Sequence, residues 1–280
     1  QPGEGILTVA PIYPPFMAVA ARTGRVAQQA MLAEPAAPGE PWTLDIAALE
    51  AAMTPQTQLL LWCHPHNPTG RVWSTEELAA LAALVERHDL WVVSDELHCD
   101  LLLREGDTHR PLAAMFPTLA KRTITLWAPS KTFNLAGLTS ACAVIADAEL
   151  RERFATATKG FLPDGNVLGL VAAEAAYRDG EPWRQALLEV LRSHRAALEA
   201  RVATWPGVSM SAPESTYLAW LDMREAGLGA SPAQVLLEQA GVALSDGAAF
   251  GCPGFVRLNF GTTASQLEAA LSRMDTLLNA

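Results

Sequence analysis

Short apolar runs alternate with helically spaced apolar positions along the first half of the chain. The first run covers residues 6–9 and follows a Pro-Gly turn; the next, 59–63, ends in a cluster of Pro, Asn and Gly. Across 76–88, Leu78, Leu81, Leu84 and Val85 recur at the helix period, and Ser74 or Thr75 stands where a cap belongs. Residues 90–93, 123–127 and 140–145 are further runs of strand length. Apolar strands separated by helices predict an α/β fold with a mainly parallel sheet covered on both faces.

The pattern then changes. Residues 164–204 read as one or two long helices, broken at Gly180-Glu181-Pro182. After Pro206, strands are expected at 208–211, 217–221 and 256–260, and helices at 232–240 and 265–279. This predicts a large domain over 1–163, then a connecting helix and a smaller C-terminal α/β domain over 164–280.

Composition narrows the function classes. The 280 residues are 50% hydrophobic and 18% charged, which suits a soluble chain with a sizeable core. A formal net charge of -10 with no Lys/Arg run argues against nucleic acid as a partner. No apolar stretch is long and clean enough to span a bilayer, and the first residues carry no signal-peptide pattern. Cysteines at 63, 99, 142 and 252 are scattered, without metal-ligand pairing, and read as reduced thiols of a cytoplasmic protein. The chain opens at Gln1 without Met and enters an apolar run at once, so an N-terminal segment is expected to precede it.

Ligands of open α/β sheets sit at the carboxyl ends of the strands. Three expected strands end there in reactive groups: Cys63-His64-Pro65-His66-Asn67-Pro68-Thr69-Gly70, Ser94-Asp95-Glu96-Leu97-His98 and Ala128-Pro129-Ser130-Lys131. Only three lysines occur, and Lys131 alone follows an apolar strand, whereas Lys121 and Lys159 fall in polar surroundings. Partial desolvation would leave the Lys131 amine available as a nucleophile; the alternative is an ordinary loop lysine. Asp95 could face a cationic ring nitrogen, a metal or an arginine, or could cap a helix. Arg257 lies between apolar residues and needs an anion, either a bound carboxylate or an internal ion pair. His64, His66, His98, Cys99 and Asp100 lack any recognised metal spacing, so no metal is expected.

Taken together, these motifs resemble those of class I/II aminotransferase-like, pyridoxal 5′-phosphate (PLP)-dependent enzymes of fold type I. The resemblance rests on Pro11-Ile12-Tyr13-Pro14-Pro15-Phe16, Pro65-His66-Asn67-Pro68-Thr69-Gly70-Arg71-Val72-Trp73, Ser94-Asp95-Glu96-Leu97-His98, Pro129-Ser130-Lys131-Thr132-Phe133-Asn134-Leu135-Ala136-Gly137-Leu138 and Phe255-Val256-Arg257-Leu258-Asn259-Phe260, in this order over essentially the whole chain. The forms around Asn67 and Asp95 look most like the cystathionine β-lyase or C–S lyase branch. The resemblance implies a Schiff base at Lys131, with Asp95 on the pyridine nitrogen. It places Asn67 and His98 near the ring oxygen, Tyr13 on the ring face, Ser130 near the phosphate and Arg257 on the substrate carboxylate. It also implies a homodimer, a small amino-acid substrate and β-elimination giving pyruvate, ammonia and a thiol. Aminotransferase activity and a non-catalytic regulatory role or inactive fragment are the alternatives.

The chain departs from the family pattern in places. Ala128 stands where many members carry a phosphate-binding serine, and Thr139 where many transaminases carry arginine. The family's glycine-rich phosphate turn, and the tyrosine lent by the partner subunit, would lie upstream of Tyr13.

Overall fold

The computed structural model describes residues 1–162 and 165–280. Two sheets organise the chain. The first contains β1 (Gly5–Ala10), β2 (Val26–Met31), β3 (Thr57–Cys63), β4 (Trp91–Asp95), β5 (Thr123–Trp127) and β6 (Cys142–Val144), in the spatial order β2-β1-β3-β4-β5-β6. Its neighbours are parallel except the β5–β6 pair, which is antiparallel. The second sheet contains β7 (Ser209–Met210), β8 (Leu218–Asp222), β9 (Ser245–Asp246) and β10 (Phe255–Asn259), in the order β7-β8-β10-β9, all antiparallel.

Helices α1 (Pro14–Arg22), α2 (Ile46–Ala51), α3 (Thr75–Arg87), α4 (Leu112–Met115) and α5 (Pro117–Ala120) lie between strands of the first sheet. Helix α3 starts where its sequence dictates. The Ser74 hydroxyl accepts from Glu77 N, and the Glu77 carboxylate accepts from Ser74 N, a reciprocal cap that satisfies two otherwise free amides. Its apolar stripe, Leu78, Leu81, Leu84 and Val85, is buried in one core with Leu60, Trp62 and Val92 of the sheet. Each such side chain removed from water contributes roughly 1.5–3 kcal/mol.

Helix α6 (Ala148–Thr158) follows the first sheet, and α7 (Val167–Asp179) and α8 (Glu181–Val202) are separated at Gly180, where the sequence predicts the break. The expected domain boundary at 163/164 lies outside the described residues. A second core joins Leu188, Leu191 and Leu198 of α8 to β8, β10, α9 (Pro232–Ala240) and α10 (Ala264–Leu278). Among the described residues no helix is long and apolar enough to cross a membrane.

The two sheets are tied by backbone. Glu214 N and Ser215 N both donate to Gly70 O, Thr216 N donates to Leu101 O, and Leu103 N to Glu214 O. This requires close approach at Gly70, which has φ +70°; a Cβ there would meet Pro213 Cβ at 2.5 Å. Arg71, one residue on, is clamped between Glu77 (2.6 Å) and Glu214 (2.9 Å).

Candidate active site

The carboxyl ends of β1, β3, β4 and β5 open on the same edge, and β10 of the second sheet faces them. Asn67 follows β3 in a turn closed by Gly70 N donating to His66 O, and is buried. Its side-chain oxygen accepts from Arg257 Nη1 at 2.9 Å, a contact across 190 positions of sequence. That bond fixes the amide's orientation, so the Asn67 NH₂ group is the end left to donate elsewhere.

Arg257 sits in mid-β10 with its guanidinium 4.7 Å from the Phe250 ring centroid, and Nη2 donates to Ser245 Oγ at 3.3 Å. Its Nε is buried without a partner, and among the described residues no carboxylate pairs with it. Burial lowers its pKa, and the nearby Tyr13 and Tyr217 phenols act in the opposite sense. Among the described residues the internal ion pair allowed by the sequence is therefore not formed; Nη1 and Nη2 each spend one N–H, on Asn67 and Ser245, and keep one for an anion.

Asp95 ends β4. Burial raises its pKa from 3.8 to about 6, against the lowering effects of a hydrogen bond from Leu97 N (3.1 Å) and the charge of Lys131. The bond to Leu97 N is a local turn contact, and no helix follows it. Lys131 lies half-buried in the turn after β5, which is closed by Phe133 N to Pro129 O and Leu135 N to Ser130 O. Lys121 and Lys159 are exposed and stand at the C-termini of α5 and α6.

His98 is buried, and its ring meets Tyr217 edge-on with centroids 5.9 Å apart. Desolvation, then the charges of Lys131 and Arg257, depress its pKa to about 3, so the imidazole is neutral at pH 7, and among the described residues Nδ1 has no partner. Tyr13 precedes α1, is 40% exposed and lies within electrostatic reach of Arg257. Tyr13, Asn67, Asp95, His98, Lys131 and Arg257 are thus linked by contact or charge. Ser130 is half-buried beside Lys131, with only its backbone engaged in the turn.

Tyr217, Ser245 and Phe250 also belong to this cleft and were not anticipated. Tyr217 precedes an apolar strand and reads in sequence as part of it; the backbone bonds from Thr216 N to Leu101 O and from Leu103 N to Glu214 O bring its segment beside the one that follows His98. Among the described residues no group of three His, Cys, Asp or Glu side chains is arranged to hold a metal ion.

Comparison with known proteins agrees over the whole chain. The family model described as aminotransferase class I and II matches residues 1–274. Cystathionine beta-lyase PatB of Bacillus subtilis (strain 168) is 35% identical over 286 residues, covering 100% of this chain and 73% of the relative. The crystal structure of OvoB superposes with a TM-score of 0.95 at 43% identity, covering 100% of this chain and 73% of that one. Cystalysin from Treponema denticola, whose crystal structure contains PLP, gives a TM-score of 0.93 at 30% identity, with 100% and 71% coverage. The mainly parallel first sheet, the separate antiparallel sheet and these superpositions are those of the fold type I PLP-dependent transferases, and the chain belongs to the class I and II aminotransferase family.

Proposed function

We propose that this chain is a PLP-dependent carbon–sulfur lyase that carries out β-elimination on cystathionine, cysteine or a cysteine S-conjugate, releasing pyruvate, ammonia and a thiol. The observation that carries the reading is a single cleft holding the Lys131 amine, a carboxyl held up to about 6 at Asp95, and a guanidinium without a counter-ion at Arg257. The residues fit the cofactor. Asp95 is a desolvated acid that a protonated ring nitrogen would stabilise, and His98 Nδ1 and Arg257 Nε are buried polar atoms with no partner. The names of relatives such as PatB and the C–S lyase of Staphylococcus hominis support the lyase branch.

Lys131 would hold the cofactor and Asp95 its ring nitrogen, with Asn67 and His98 near the ring oxygen, Tyr13 on the ring face and Ser130 near the phosphate. When bound, the cofactor withdraws electrons from the substrate's Cα. The protein does the rest. Arg257 receives the α-carboxylate in its planar fork and so orients the Cα–H bond. Released from the cofactor when the substrate's amine takes its place, Lys131 would remove the Cα proton; that electron pair forms the Cα–Cβ double bond as the Cβ–S bond breaks and the thiolate departs, and one water then hydrolyses the resulting enamine to pyruvate and ammonia. The neutral His98 adds no positive charge beside Lys131.

We also propose a homodimer, division of the chain near residue 163, and a cytoplasmic location. Exposed Phe161, Leu162, Val167, Leu168, Leu170 and Val171 form an apolar surface that a second copy could cover. Two cores support the division, one centred on the first sheet and one on α8 and the second sheet, with Trp220 and Phe255 reaching into the first and Leu101 and Leu103 into the second; four free thiols suit a reducing compartment.

Incubation with PLP, borohydride reduction and peptide mass spectrometry test the cofactor site. Modification at Lys131, lost in Lys131→Ala, is expected; scattered modification at Lys121 and Lys159, or none, refutes it. Pyruvate release from cystathionine with no keto acid present separates β-elimination from transamination.

A further inference from the structure

Two buried imidazoles, His64 and His66, a partly buried third, His109, and the buried carboxylate of Glu96 lie behind the cleft, and the proposed chemistry uses none of them. Glu96 is 2% exposed and has three hydrogen-bond donors: Ser94 Oγ at 2.8 Å, Leu112 N at 3.2 Å and the His109 ring at 2.6 Å through Nε2. Burying a carboxylate this fully costs several kcal/mol unless donors replace its water, so the three contacts are the condition for Glu96 being there at all. The His109 ring packs against His64, with centroids 4.8 Å apart. His64 begins the loop that carries Asn67, and its amide donates to Asp95 O at 2.9 Å. His66, in the same loop, bonds Pro11 O at 2.8 Å through Nε2, two residues before Tyr13. Glu96 N in turn donates to Leu126 O at 3.0 Å.

These contacts join the ends of β1, β3, β4 and β5, the four strands whose last or following residues include Tyr13, Asn67, Asp95 and Lys131. Side chains alternate along β4, so Ser94 and Glu96 point to the face opposite Asp95. The segment holding His109 is otherwise a loop, 104–111, that has no strand or helix of its own to anchor it.

We propose that Glu96 and His109 are positioning residues for the cofactor site: their bond, backed by His64, locks the loops carrying Asn67 and Asp95 into one rigid arrangement and sets the Glu96 carboxylate on the face behind Asp95. This rests on the reading of Asp95 as the partner of the cofactor's ring nitrogen. Burial already raises the proton affinity of Asp95, and the Glu96 charge adds to it, while Lys131 opposes. Cys63, from β3, is a further titratable group near it, and its thiol is pushed up by burial and so stays neutral. A stronger proton affinity at Asp95 means a stronger bond to a cationic ring nitrogen.

The test uses the full chain with Glu96→Gln and His109→Gln, and Ser94→Ala as a milder variant that removes one donor. Three quantities are measured: PLP affinity by fluorescence titration, the Asp95 titration in the cofactor-free chain by NMR of carboxyl-labelled aspartate, and the thermal midpoint. PLP affinity is expected to fall about tenfold in Glu96→Gln and His109→Gln, the range in which removing a support behind a ligating side chain acts. The Asp95 pKa is expected to fall by about half a unit in Glu96→Gln, because a neighbouring negative charge is gone. A purely structural role would lower the thermal midpoint and leave the Asp95 titration of the folded chain in place, and that outcome overturns the proposal. So does PLP affinity equal to that of the unmodified chain in both variants. If the unmodified chain takes up no PLP at all, the lyase reading fails on its own. The Asp95 titration then still decides whether Glu96 sets the charge at this position.

Discussion

Replacing Asp95 by Asn should stabilise the cofactor-free protein while crippling its hold on PLP. The folded chain raises the Asp95 pKa from 3.8 to about 6, chiefly through burial, so folding favours the protonated acid. Below the lower value the carboxyl is neutral in both states and costs nothing. As pH climbs through the window between the two values the unfolded chain ionises more readily, and stability is lost; above the upper value the loss is complete. A rise of that size corresponds to about 3 kcal/mol, as an upper bound for one group. Asn is neutral throughout and can still accept from Leu97 N, the local bond Asp95 makes at 3.1 Å. Urea denaturation of the two cofactor-free proteins should therefore show Asp95→Asn more stable by up to about 3 kcal/mol near pH 8 and by about half of that near pH 5. Saturating PLP should remove or reverse the advantage, because the ring nitrogen supplies the cation that the carboxylate lacks. An equal effect at both pH values, or no gain near pH 8, would refute the view that Asp95 is held in a desolvated place awaiting a positive charge.

Substitutions at two further positions probe the substrate fork and the junction of the sheets. Arg257→Ala should lower kcat/KM for pyruvate release from cystathionine by about 100-fold, and Arg257→Lys should recover only part of this because a point charge lacks the paired donors; unchanged kinetics in both would remove Arg257 from substrate binding. Gly70→Ala should lower stability by about 2 kcal/mol or more in thermal unfolding, since it combines a left-handed backbone with a Cβ driven onto Pro213, and a loss under about 0.5 kcal/mol would mean the turn can relax.

Much of the architecture is legible in the sequence where polarity changes abruptly. The run at 123–127 and the helix at 232–240 coincide with β5 and α9 because each is bounded by charged, polar or turn residues. The helix at 76–88 announces itself through its stripe and the Ser74–Glu77 pair. Strand β2 is hidden because it is an edge strand, Val-Ala-Gln-Gln-Ala-Met, with only Gln28 and Ala30 buried. Gln28 is held by Thr54 and Thr57 through hydrogen bonds of 2.8 and 2.7 Å, a polar solution with no apolar signature. The site divides in the same way. Lys131 and Asp95 stand out because a charge at the end of an apolar strand is anomalous wherever it occurs. Tyr217 and the Glu96–His109 bond carry no such local anomaly, since their meaning arises only from packing between distant segments.

The bond between Arg257 and Asn67 has a thermodynamic consequence. One guanidinium, from the second sheet, both offers donors to an incoming anion and dictates which way the amide of Asn67 faces in the first. If Asn67 serves the cofactor and Arg257 the amino acid, the two ligands share a joint: any rearrangement that one imposes on the bond is felt by the other, and the change in affinity must be equal in both directions. A substitution at Arg257 would then register as a loss of cofactor as well as of substrate, and the two effects would not add as independent sites do.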